Sequence, residues 1–109
     1  MPQPLTVAIF WDDDDTGKTK PTVHPGRLVI DSREAPTSVE FHSFVDQDVE
    51  LHLPSPAFDT APKVLPAGGS ITVPILTLQS RGCFVYRAHL VRDKKFAVGG
   101  SMPKMIILG

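Results

Sequence analysis

The chain predicts an all-β fold: a sandwich of two packed sheets, built from seven or eight short strands. Three observations carry that expectation. Eleven prolines are spread along 109 residues, and each would cost a helix interior about 3 kcal/mol or more, which leaves little room for helices of ordinary length. Several segments alternate apolar and polar residues with period two, the pattern of a strand with one buried face. Turn dipeptides and proline- or glycine-rich connections separate these segments at regular intervals, as in two-sheet sandwiches.

The elements follow in order. Leu5 to Trp11 is rich in β-branched and aromatic residues and reads as the first strand, and "DDDDTGKTKP" follows it as a polar loop. Thr22 to His24 reads as a short strand ended by the turn dipeptide Pro25-Gly26, and Arg27 to Asp31 as the next strand. After the connection "SREAPTS", the segment "SVEFHSF" sets Val39 and Phe41 on one face and Glu40 and His42 on the other. "DVELHLP" repeats the pattern, with Val49, Leu51 and Leu53 inward and Glu50 and His52 outward. "PSPAFDTAP" is a loop anchored by Phe58, Lys63 to Leu65 is short and extended, and "PAGGS" is a turn. Ile71 to Leu78 reads as a strand in which Pro74 requires an edge or a bulge. Cys83 to Val91 is the strongest strand, with Phe84, Tyr86, Ala88 and Leu90 as its core face. "RDKKFAVGGSMPK" reads as a loop, and Met105 to Leu108 as the last strand.

Length and composition bound the function classes. One domain over residues 1–109 is expected, large enough to bury about two-thirds of its unfolded surface. A net charge of −1 argues against general nucleic-acid binding, which needs a clustered positive excess. No run of eighteen apolar residues points to a membrane span. The N-terminus "MPQPLTVAIFWDDDD" lacks the basic start and small-residue cleavage site of a signal peptide. A cytoplasmic protein is therefore the expectation. The single cysteine allows no internal disulfide.

Residues Leu28 to Leu108 carry a set of motifs in order: "VEF" at Val39 to Phe41, then "DVELHLP", Phe58, "VLPAGGSITV", "GCFVY" and "MPKMIIL". In order and spacing this set resembles the cupredoxin superfamily, and is closest to small bacterial cupredoxin-like proteins of unassigned function. The resemblance implies a Greek-key β-sandwich. It also implies where copper ligands would stand. The place of the first histidine falls at or beside Asp48, and the place of the copper cysteine falls at Arg87 or Ala88. His89 comes too soon after that place for the second histidine, and Met102 lies behind a longer loop than usual. Without its thiolate and first histidine, a blue-copper centre is not expected.

Strand geometry leads to the same expectation. Cys83 and His89 sit six residues apart on one strand, roughly 20 Å at about 3.3 Å per residue. They cannot share a metal whose bonds are about 2.0–2.3 Å. Cys83 is expected to behave as a small, half-buried hydrophobe.

The remaining candidates are weak as motifs. An EF-hand loop starting at Asp12 places Gly17 at position six, but Val23 stands at twelve where glutamate is needed. "TGKTK" resembles the end of a P-loop, but Asp12 occupies the place of the first glycine. His42 and His52 each follow a glutamate by two residues on the same strand face. In a cupredoxin-like sandwich their strands fall in different sheets, so they are expected as separate surface histidines. No catalytic signature is present.

The expectation is therefore a non-catalytic module with no cofactor, no metal site and no catalytic residues. It would meet a protein partner, or a second copy of itself, through its loops or an open sheet edge. The basic cluster Arg92 to Lys95 would suit an acidic partner, and Asp12 to Asp15 a basic one. Two alternatives stand beside it: a non-standard metal site drawing on Cys83, His89, Met102 or Met105, and an enzyme.

Overall fold

The computed structural model describes residues 5–13, 19–79, 81–98 and 102–108. Among these the chain is all-β. The strands are β1 (Leu5–Asp13), β2 (Thr19–His24), β3 (Arg27–Asp31), β4 (Ser38–Ser43), β5 (Val49–His52), β6 (Lys63–Leu65), β7 (Ser70–Pro74), β8 (Gly82–Val85), β9 (Arg87–Leu90), β10 (Lys95–Ala97) and β11 (Lys104–Leu108), with one short 3-10 turn at Ser32–Glu34. They form three sheets, ordered β2-β1-β4-β7, β10-β9-β5-β6 and β3-β11-β8. The β1–β4 and β3–β11 pairs are parallel; the other pairings of strands are antiparallel. No helix among the described residues is long and apolar enough to cross a membrane.

Alternation places the core. Val39 and Phe41 of β4, Val49 and Leu51 of β5, and Tyr86, Ala88 and Leu90 along β8–β9 are all buried, as their period-two spacing predicts. Residues from all three sheets, among them Ile9, Ile30, Phe41, Leu51, Tyr86 and Ile107, join one apolar cluster. A single core lined by facing sheets is consistent with a β-sandwich. Phe58 is 1% exposed and anchors its proline-rich loop to that core. The turn after β6 closes through Gly69 N–H donating to Pro66 O at 2.9 Å, with Gly68 at φ +65°. That is the third position of a type II turn, where a positive φ favours glycine.

Among the described residues the strands number eleven, not seven or eight, and the sheets three, not two. The run Cys83 to Val91 divides at Tyr86. Tyr86 N–H donates to Pro103 O at 3.0 Å and so extends the β8–β11 ladder by one residue. Pro103 has no N–H to return, and the ladder stops there. On the other side, the β5–β9 register ends at His52, two residues before Pro54, which also lacks a donor. Two prolines in neighbouring segments thus split one apolar run between two ladders. Alternation survives the break, because Tyr86 stays buried and Val85 and Arg87 stay exposed.

Other boundaries shift for similar reasons. β1 reaches Asp13 and β2 starts at Thr19, because Asp12 pairs with Lys20 and Asp13 with Thr19 across the ladder. Opposite charges directly across an antiparallel pair favour that pairing. β7 ends at Pro74, on the edge position its missing N–H requires. Beyond it, Ile75 N–H donates to Thr37 O, one further rung of the β4–β7 register, and Leu76 N–H then turns to Ala57 O. Lys95–Ala97, expected as loop, is strand β10, because it pairs with Leu90–Ala88 of β9.

Candidate functional site

The expected copper end is built from two facing turns. Residues 45–48 lead into β5, and residues 91–94 follow β9. Val91 N–H donates to Asp48 O at 3.0 Å. Asp48, the expected place of the first histidine, therefore lies beside Val91. The expected cysteine places are further along: Arg87 pairs with His52 and Ala88 with Leu51. The two expected places therefore do not face each other across the β5–β9 ladder. The residues that do meet Asp48's end of the ladder, Leu90 and Val91, have no donor atom for a metal in their side chains.

The side chains at this end are engaged with one another. The amide of Gln47, 5% exposed, donates from Nε2 to Asp93 Oδ2 at 2.9 Å, and Asp93 N–H donates to Gln47 Oε1 at 2.9 Å. Arg92 donates to Asp46 Oδ2 at 3.1 Å and to Asp93 Oδ1 at 3.2 Å. Asp48 Oδ1 accepts the Ala67 N–H at 3.2 Å. The hydrogen bond from Arg92 holds the Asp46 carboxyl below its ordinary range. Gln47 first, then Arg92, does the same for Asp93. The Arg92 guanidinium is raised correspondingly by its hydrogen bonds to Asp93 and Asp46. Arg92 is therefore not a free member of a basic cluster. Lys94 and Lys95 remain exposed.

Cys83 and Met105 do not converge. Met105 is fully buried in the core, while Cys83, on the adjacent strand, is exposed on the opposite face. Cys83 is thus exposed, not half-buried; it pairs across the ladder with Ile106. No group of three or more His, Cys, Asp or Glu side chains comes together among the described residues. His42 and His52 lie in different sheets, as expected, each bonded to its own strand's glutamate: His42 to Glu40 at 3.3 Å and His52 to Glu50 at 2.6 Å. The acidic run ends β1 at Asp12 and Asp13; Asp14, Asp15 and Thr16 to Lys18 lie outside the described residues, so neither the EF-hand nor the P-loop comparison has geometry here.

A second feature emerges on the outer face of the β10-β9-β5-β6 sheet. An open groove of about 370 Å³ is lined by His52, Leu53, Val85, Arg87, His89 and Phe96. Register explains its walls. Phe96, His89 and Glu50 stand in one cross-strand row, and Arg87 and His52 in the next. The His89 and Phe96 rings lie 4.9 Å apart at 47°. Glu50 fixes the His52 ring from within the same strand. Val85, 52% exposed, continues the face below Arg87. Arg87 has no ion-pair partner among the described residues, whereas Arg33 and Arg92 each bind a carboxylate.

Sequence reasoning did not bring these residues together: it read Leu53 as inward, His89 as a candidate metal ligand and His52 as a surface histidine. Its one legible signal was the alternation that turns Glu50, His52, Arg87 and His89 outward. That they share a groove depends on pairings between distant strands, and Phe96 lay in a segment read as loop. No protein-family model matches the chain, and a search of curated proteins finds no match either.

Proposed function

We propose that this chain is a copper-free, cupredoxin-like Greek-key module that acts by binding and not by catalysis. The observation that carries the reading is the hydrogen-bonded clasp of Gln47 with Asp93 and Arg92 with Asp46. It occupies the turns beside Asp48, where the resemblance puts the first copper histidine, and its donor set is two carboxylates, an amide and a guanidinium. A blue-copper centre needs a thiolate and two imidazoles. The antiparallel β4–β7 and β5–β9 pairings, which bring sequence-distant strands side by side, are of the kind a Greek key's long connections make. With that end closed, the outer groove and the edges of terminal strands such as β6, β7, β3 and β8 are surfaces for recognition or self-association.

Titration with Cu(II) and with Cu(I) tests the reading. The expected result is no intense blue absorption and no rise in melting temperature. A blue band, or metal-dependent stabilisation lost in a Cys83→Ser variant, would overturn it. Light scattering across a concentration series reads the self-association arm.

A further inference from the structure

We infer that the groove on the outer face binds a small organic carboxylate with a flat apolar body, an aromatic monocarboxylate being the simplest case. The inference rests on the chain being a binding module and names the ligand of that module. Arg87 supplies the anchor. A guanidinium presents a planar fork of donors matched to a carboxylate's two oxygens, and this one is exposed with no carboxylate partner among the described residues.

The other walls select what the carboxylate is attached to. Phe96 and Val85 are 45% and 52% exposed, and Leu53, just past β5, completes the lining. Two large apolar side chains left open beside an unpaired cation form a surface with one charged end and one apolar end. His89, held against Phe96, and His52, oriented by the Glu50 carboxylate, add ring nitrogens at the rim. Glu50 also limits the ligand's charge. It lies in the same row as His89, so a single negative charge meets one fixed cation, while a multiply charged phosphate meets added repulsion.

The experiment is an NMR titration of the whole chain with benzoate, following the ring protons of its four histidines. His52 and His89 are expected to shift saturably in the millimolar range, while His24 and His42, outside the groove, stay in place. Benzamide, the neutral isostere, and inorganic phosphate, which lacks the apolar body, are expected to bind at least about tenfold more weakly. Arg87→Gln is expected to weaken benzoate binding by about tenfold or more, the equivalent of one charge-assisted hydrogen bond. Phe96→Ala is expected to weaken it severalfold without changing the response to phosphate. Circular dichroism of each variant separates lost binding from lost fold. Non-saturable shifts, equal binding of benzamide, or undiminished binding by a folded Arg87→Gln variant would overturn the assignment. Those outcomes would leave the copper titration, and the reading it tests, untouched.

Discussion

Tyr86→Phe is expected to stabilise this protein. Tyr86 is 1% exposed, and its hydroxyl finds no hydrogen-bond partner among the described residues. Folding therefore strips water from a phenol oxygen and returns nothing to it, at a cost of about 1–3 kcal/mol on the scale of protein mutational data. The ring itself is well placed: it meets Phe41 edge-on, with centroids 6.3 Å apart and planes at 74°, a favoured aromatic geometry. Phenylalanine keeps the ring and that contact and removes only the oxygen. The expected gain is about 1–3 kcal/mol, read as a higher urea midpoint at unchanged m-value. For a domain of this size each kcal/mol corresponds to roughly 4 °C in Tm.

The same burial gives an independent reading. Desolvation raises the Tyr86 phenol far above its ordinary pKa. It is the chain's single tyrosine, so ultraviolet titration reports it without assignment. A group whose folded pKa is raised contributes stability that is complete below the unfolded value, about 10, and is lost as pH rises from there towards the folded value. The native protein should show no phenolate until it unfolds in alkali, and Tyr86→Phe should be less sensitive above about pH 10. A lower urea midpoint for Tyr86→Phe, or a native phenol that titrates near pH 10, would refute the argument and mean that the hydroxyl is solvated or bonded in the folded state.

Two further predictions concern the clasp and the surface carboxylates. Gln47→Ala removes a buried amide and both of its bonds to Asp93, and should cost about 1–3 kcal/mol by urea denaturation; an unchanged midpoint would mean that the two turns are held by other contacts. Asp31, Asp46, Asp59 and Asp93 all have carboxyls lowered by hydrogen bonds to neighbouring groups. Their contribution is complete above the unfolded carboxyl value, about 3.9, and is lost as pH falls through their lower folded values. Melting temperature should therefore hold steady from neutral pH down to about pH 5 and drop below about pH 4, and a profile flat to pH 2 would contradict this.

What the sequence made legible was the inside of the protein. Val39, Phe41, Val49 and Leu51 are buried because period-two alternation is a local property, and it reports which face each strand turns inward. Pro74 on an edge and Phe58 in the core are equally local inferences. Where sequence reading failed, the deciding residue sat on another segment. The run Cys83 to Val91 looks unbroken by itself; its division comes from Pro103 and Pro54, which border it only after folding. Lys95–Ala97 has too little alternation to declare itself and is a strand because Leu90–Ala88 offers it partners. The groove is the extreme case: its lining comes from three segments, β5 with Leu53, β8–β9 and β10, and exists only once register is set.

The placement of β11 between β3 and β8 has a consequence for how the chain reaches its structure. Arg27–Asp31 has one hydrogen-bonded neighbour in its sheet, and that neighbour is Lys104–Leu108, at the far end of the described chain. Local chain diffusion cannot complete such a pair; most of the chain must be closed into a loop first, and topologies dominated by such distant contacts fold slowly. Until then both edges of β3 are unpaired. The Val29 side chain, 48% exposed even in the finished sheet, would sit beside them. The interval before β11 docks is thus the time when this chain is most open to pairing with another copy of itself.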